Sequence, residues 1–204
     1  MALGDVQTAM ARLFTDEEAR AAFARDPVVA VRELGLEAAD AASLAALAPR
    51  AVNRFAGALQ SKRVLDARKL LPLTARVLGD AFARRLREEV RGPPRGAVAD
   101  ALDLATLLSR EETTSPAWIG DLARYEAAFV VAGRRPFTVQ FHIFRYPVST
   151  IAADLRRAGS AGDVAPCASL AFWARAPGGA LMHRCWRVGW RGAVREIARL
   201  VPKV

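Results

Sequence analysis

Apolar positions recur every three or four residues along the first 130 or so residues of the chain and every second residue from 137 to 146. The first period is that of amphipathic helices and the second that of a strand with two unlike faces. Thr15-Asp16-Glu17-Glu18 reads as a capping box that starts a helix, with Leu13 or Phe14 packing beside it as a staple. Asp26-Pro27 supplies a cap and a pre-set first helical residue, and Gly35 closes that helix after Val28, Val31 and Leu34. Asp40 opens another short helix. From Pro49 the spacing of Val52, Phe55, Leu59, Val64 and Leu65 is helical, and Pro72 marks a restart. Beyond it, Leu73, Val77, Leu78, Phe82 and Leu86 make an apolar stripe. Residues 91–96 form a turn or loop, and 97–108 and 116–131 read as further helices. Trp118, Leu122, Tyr125, Ala128 and Phe129 share a face of the last one, as core residues do.

The alternating stretch puts Phe137, Val139, Phe141 and Ile143 on one side of a half-buried strand and Thr138, Gln140 and His142 on the other. It fits an edge strand and an interior one equally. A short amphipathic helix follows at 150–157, then a loop at 159–162. Segments 168–176 and 181–188 flank Pro177-Gly178-Gly179-Ala180 as a hairpin, and 192–201 closes with a helix through Val194, Ile197 and Leu200. The expected class is α+β: an all-helical domain over 1–132, then a small antiparallel sheet with flanking helices over 133–204.

Charge sharpens that division. Lys and Arg number 18 against 18 Asp and Glu over 1–132, and 12 against 3 over 133–204, so the whole net charge of +9 sits in the sheet-bearing part. The helical part is neutral yet polarised, with 12 basic and 4 acidic residues between 50 and 95. A basic sheet suits an acidic, extended partner, because Arg forks pair with carboxylates while a free strand edge offers backbone hydrogen bonds. Arg outnumbers Lys 27 to 3, the mark of a GC-rich coding sequence, which weakens the basic balance as a sign of nucleic-acid binding. Two cysteines are too few for a disulfide scaffold, and the N-terminal stretch lacks a basic region followed by an apolar run, so cytoplasmic residence is expected. No apolar stretch approaches the ~20 residues of a membrane span.

A search for catalytic constellations returns little. His142 and His183 lie in no zinc-protease motif; His183 and Cys185 share a strand face with Cys167 within reach on a neighbour, but the spacing matches no recognised metal site. The stretch 133–204 holds only Asp154, Asp163 and Glu196 as carboxylates, phosphate-cradling glycine loops are absent, and Ser160 and Ser169 lack a nucleophile-elbow context. A binding protein is expected rather than an enzyme, with no cofactor of its own. A DNA-binding regulator using the basic helices at 50–95 or a winged-helix-like end is the alternative, though no recognition helix with short turn-helix spacing stands out.

The stretch 61–86, SKRVLDARKLLPLTARVLGDAFARRL, resembles the helical region of the partner proteins that accompany multinuclear non-heme iron-dependent oxidases. Those oxidases are TIM-barrel enzymes that modify cysteine in ribosomally made peptides of methanobactin-type and 3-thiaglutamate-type systems. The likeness extends to a Leu-Phe-x-Asp helix near the start, Leu-Pro-x-Thr at 71–74, Asp-Leu-Ala-x-Tyr-Glu at 121–126 and the strand-rich end. It implies a metal-free partner that binds the oxidase, which carries the iron, and helps present a precursor peptide whose leader pairs with the sheet. On that reading Phe137, Val139 and Phe141, with Arg134, Arg135, Arg145, Arg184 and Arg187, face the peptide, and Arg68 and Lys69 contact the oxidase. No membrane partner is implied, and nucleic acid is the lesser alternative.

Overall fold

A computed structural model describes residues 3–90, 95–111 and 115–187. The fold is α+β: among the described residues there are ten helices and one three-stranded antiparallel sheet. The helices are α1 (Leu3–Thr15), α2 (Glu17–Arg25), α3 (Pro27–Glu33), α4 (Ala38–Ala45), α5 (Pro49–Leu70), α6 (Pro72–Leu78), α7 (Asp80–Glu89), α8 (Ala97–Arg110), α9 (Ile119–Arg134) and α10 (Val148–Ala158). The strands are β1 (Thr138–Phe144), β2 (Ser169–Arg175) and β3 (Met182–Arg187). The predicted helix at 192–201, Val188 and residues 91–94 of the predicted loop lie outside the described residues.

Local chemistry sets the helix boundaries. Asp26 caps α3 by accepting from the Val28 and Val29 N–H groups, with Pro27 in the first turn, as its sequence predicts. The cap of α2 is Asp16 rather than Thr15. The Asp16 carboxylate accepts from Glu18 and Ala19 N–H, while the Thr15 hydroxyl turns back to Ala11 O and ends α1. An anionic acceptor makes the stronger bond at a helix N-terminus, so the cap shifts by one residue. Gly79, at φ 54°, separates α6 from α7, so the apolar stripe predicted after Pro72 belongs to two helices.

The chain forms two compact units, one of Met1–Ala67 with Ala83–Asp100 and the other of Arg68–Phe82 with Ala101–Val204. The first has its own core around Leu13, Phe23, Val31, Leu44 and Val52, with Phe14 and Phe55 in ring contact at 4.6 Å. There Arg63 donates two hydrogen bonds to the buried Asp100 carboxylate, at 2.8 and 2.9 Å. The paired carboxylate raises the Arg63 pKa, against the opposing effect of burial.

The second unit has a core of α6, α9 and α10 side chains with one face of the sheet, centred on Leu122, Tyr125, Phe144, Ile151 and Trp173. Gly120 lets α9 approach the end of α8: a Cβ there would stand 2.6 Å from Leu108 O and 2.9 Å from Ser109 Cα. The change in composition near Gly133 falls in the last turn of α9, inside this unit.

Candidate functional site

β1 is an edge strand. The sheet order is β1-β2-β3, and among the described residues β1 has β2 as its one neighbour, paired antiparallel from Thr138↔Arg175 to Phe144↔Ser169. Its two faces are used in an unexpected sense. Thr138 and Phe144 are buried, Gln140 and His142 half-buried, and all four face inward. The apolar stripe faces out: Phe137 is 61% exposed, Val139 55%, Phe141 61% and Ile143 70%.

The inner polar residues are accommodated by particular partners. Gln140 Nε2 donates to Ala128 O of α9 at 2.8 Å, and the His142 ring stands edge-on to Trp173 at 5.4 Å. Aromatic mass on that side comes from elsewhere: Tyr125 and Phe129 of α9 meet Trp173, which also lies 4.9 Å from the His183 ring. Burial lowers the pKa of both histidines, with Arg124 adding to the effect on His142 and Arg184 and Arg156 to that on His183. Burial also pushes the Tyr125 phenol up to about 12, with the nearby Cys185 thiol adding to it.

The register carries the outward stripe across the sheet. Val139, Phe141 and Ile143 pair with Ala174, Phe172 and Leu170, and these with Met182, Arg184 and Trp186. The Phe141 and Phe172 rings lie 4.7 Å apart, and Met182 is 63% exposed. Of these β2 and β3 residues the sequence singles out Arg184 alone, although the alternation within 168–176 and 181–188 carries the signal for the rest.

Basic residues bracket β1. Arg134 ends α9 and Arg135 follows as its C-cap, both exposed just before β1, and Arg145 is exposed just past its end. The chain there is held by Asp121, whose Oδ2 accepts from the Arg145 N–H at 2.7 Å and the Tyr146 N–H at 3.0 Å. Arg184 is exposed and pairs with Phe172 on the outer face. Arg187 follows the inner parity and donates to Thr150 Oγ1 of α10 at 3.1 Å, which sets it apart from the other candidates.

The helical candidates differ in character. Arg68 is half-buried; its guanidinium donates to Gly79 O at 3.3 Å and lies 5.9 Å from the Phe82 ring, so it braces the α6–α7 junction. Lys69 is exposed. His183 and Cys185 share the inner face, Cys167 is exposed, and among the described residues no group of three or more His, Cys, Asp or Glu is placed to hold a metal.

Two stretches singled out in the sequence meet in space. The Leu73 and Thr74 N–H groups and the Thr74 hydroxyl all donate to the buried Glu126 carboxylate, at 2.8, 2.8 and 2.7 Å. Leu71, at the cap position of α6, offers no side-chain acceptor, so Glu126 caps that helix from α9. Burial raises the Glu126 pKa while these three bonds hold it down. Leu-Pro-x-Thr and Asp-Leu-Ala-x-Tyr-Glu thus work as one structural device.

No helix among the described residues is long and apolar enough to cross a membrane. No family model, curated protein or solved structure matches the chain.

Proposed function

We propose that this chain is a non-catalytic partner subunit that binds a TIM-barrel, multinuclear non-heme iron-dependent oxidase and presents a ribosomally made precursor peptide for cysteine modification. The observation that carries the reading is β1, an edge strand with one neighbour among the described residues, an outward apolar stripe, and exposed arginines at both ends. A leader peptide laid beside it exchanges backbone hydrogen bonds with the edge, sets apolar side chains beside Val139, Phe141 and Ile143, and brings acidic residues to Arg134, Arg135 and Arg145. Register-dependent pairing fixes how far along the peptide a cysteine stands from the docking point, and positioning of that kind is a part of catalysis that an enzyme can delegate. The iron belongs to the oxidase.

Several basic residues between 50 and 95 have internal partners, which disfavours a DNA-binding face there. Lys62 pairs with Asp66, Arg63 with Asp100 and Arg85 with Glu89, while Arg68 and Arg76 donate to backbone carbonyls. The test is co-expression with a TIM-barrel oxidase of this class from the same genome, followed by affinity purification and iron analysis. A stable one-to-one complex with iron following the oxidase is expected. Absence of a complex, or iron and activity in this chain alone, overturns the reading.

A further inference from the structure

The buried side of α5 carries Val52, Ala56, Val64 and Ala67, and another side is turned to solvent. On that exposed side Ala51, Phe55, Ala58, Lys62 and Leu65 stand four, three, four and three residues apart. At about 100° per residue they fall within one arc of about 80°, the spacing and width of a seam that packs against a second helix. Its two large apolar residues are well exposed, Phe55 at 52% and Leu65 at 55%. The Phe55 ring already rests on Phe14 at 4.6 Å, so its position is held before any partner arrives. Ala51 and Ala58 leave room for the close approach of another helix.

Charge identifies the occupant. Residues 49–65 contain Arg50, Arg54, Lys62 and Arg63 and no Asp or Glu. Arg63 is held by Asp100, whereas the exposed Arg50 and Arg54, beside the seam, have side chains with no hydrogen bond or ion pair among the described residues. Lys62 lies in the seam itself, and its pairing with Asp66 at 2.6 Å is a surface contact that a partner's carboxylate can replace. A second copy presenting the same face would set these cations against their own kind. A phosphate backbone would leave Phe55 and Leu65 without apolar contacts. The complementary surface is an amphipathic helix with an apolar stripe and acidic flanks.

We propose that this face of α5 is where the oxidase docks, through a helix of that kind. The proposal rests on the partner-subunit reading and adds to it the surface and the chemistry of the contact. The seam belongs to the first unit and β1 to the second, so each can be altered separately.

The test is titration calorimetry of the purified chain against a purified TIM-barrel oxidase from the same genome, using Arg54→Glu and Leu65→Glu, each checked for folding by circular dichroism. Each substitution is expected to weaken the wild-type affinity about tenfold or more. Ala58→Arg, which blocks close approach from an exposed position, repeats the measurement should Leu65→Glu fold poorly. A photo-reactive p-benzoylphenylalanine at Leu65 is expected to cross-link, at heterodimer mass, to a helical segment of the oxidase rich in Asp and Glu. If no wild-type complex forms, the partner reading fails and this proposal with it. If the complex forms and the folded variants bind as tightly as wild type, or the cross-link falls on a segment without acidic residues, the docking assignment fails while the partner reading stands.

Discussion

Replacing Glu126 by alanine deletes the shared acceptor of three donors in the core of the second unit. Two of them, the Leu73 and Thr74 N–H groups, begin α6 and are fixed in direction by the helix, whereas the Thr74 hydroxyl can rotate. An unsatisfied buried donor costs about 1–3 kcal/mol, so the two backbone groups set a loss of about 2–6 kcal/mol. Deleting a carboxylate whose pKa is raised by burial returns part of that, leaving about 2–4 kcal/mol. For a chain of this size a loss of ~3 kcal/mol lowers the melting midpoint by roughly 6–12 °C. The described tryptophans, Trp118, Trp173 and Trp186, fall in the second unit and the first unit's sequence holds none, so urea unfolding followed by tryptophan fluorescence reads the second unit. Glu126→Gln keeps an acceptor, sheds the charge and is expected to lose less than half as much. The reasoning fails if Glu126→Ala is no more destabilising than Asp163→Ala at an exposed position of the same unit.

Asp100→Ala leaves the Arg63 guanidinium without its buried carboxylate and should cost the first unit about 3–5 kcal/mol, read by far-UV circular dichroism because that unit has no tryptophan. With the folded pKa of His142 and His183 lowered and the unfolded value near the ordinary 6.5, the unfolded chain binds protons that the folded chain does not. Stability of the second unit should therefore be full above about pH 6.5 and fall as pH drops through the window below it. His183→Phe, which keeps a ring against Trp173, should make that fall shallower in urea titrations at successive pH values. Arg134→Glu with Arg135→Glu should weaken binding of an acidic leader peptide about tenfold by titration calorimetry and reduce its salt dependence. Alanine at both Arg68 and Lys69 should weaken oxidase binding in pull-down; unchanged complex formation refutes that assignment.

Helix starts marked by rigid residues were legible in the sequence. Asp26-Pro27, Pro49 and Pro72 each begin a helix where the chain predicts one, because proline fixes φ and a carboxylate satisfies the first N–H groups locally. Thr15 was a near miss of one position, since a hydroxyl and a carboxylate side by side compete for the same donors. Alternation in 137–143 announces two faces but not which one meets the core. That depends on α9, which brings Tyr125 and Phe129 to the other side and gives Gln140 a carbonyl to bind. A carboxylate at 126 within an aromatic helical stripe is visible as an anomaly, yet its partners lie 52 and 53 residues away. Arg68 reads as a surface cation until Gly79 folds back to accept from it.

Hydrogen exchange of the backbone amides of Thr138–Phe144, in the oxidase complex with and without the precursor peptide, tests the central claim most directly. Peptide binding by strand addition predicts new protection on alternate β1 amides, the set that points away from β2, and loss of that protection when the peptide's leader is removed. Unchanged exchange along β1 with a peptide demonstrably bound, or protection confined to the helices, would contradict it.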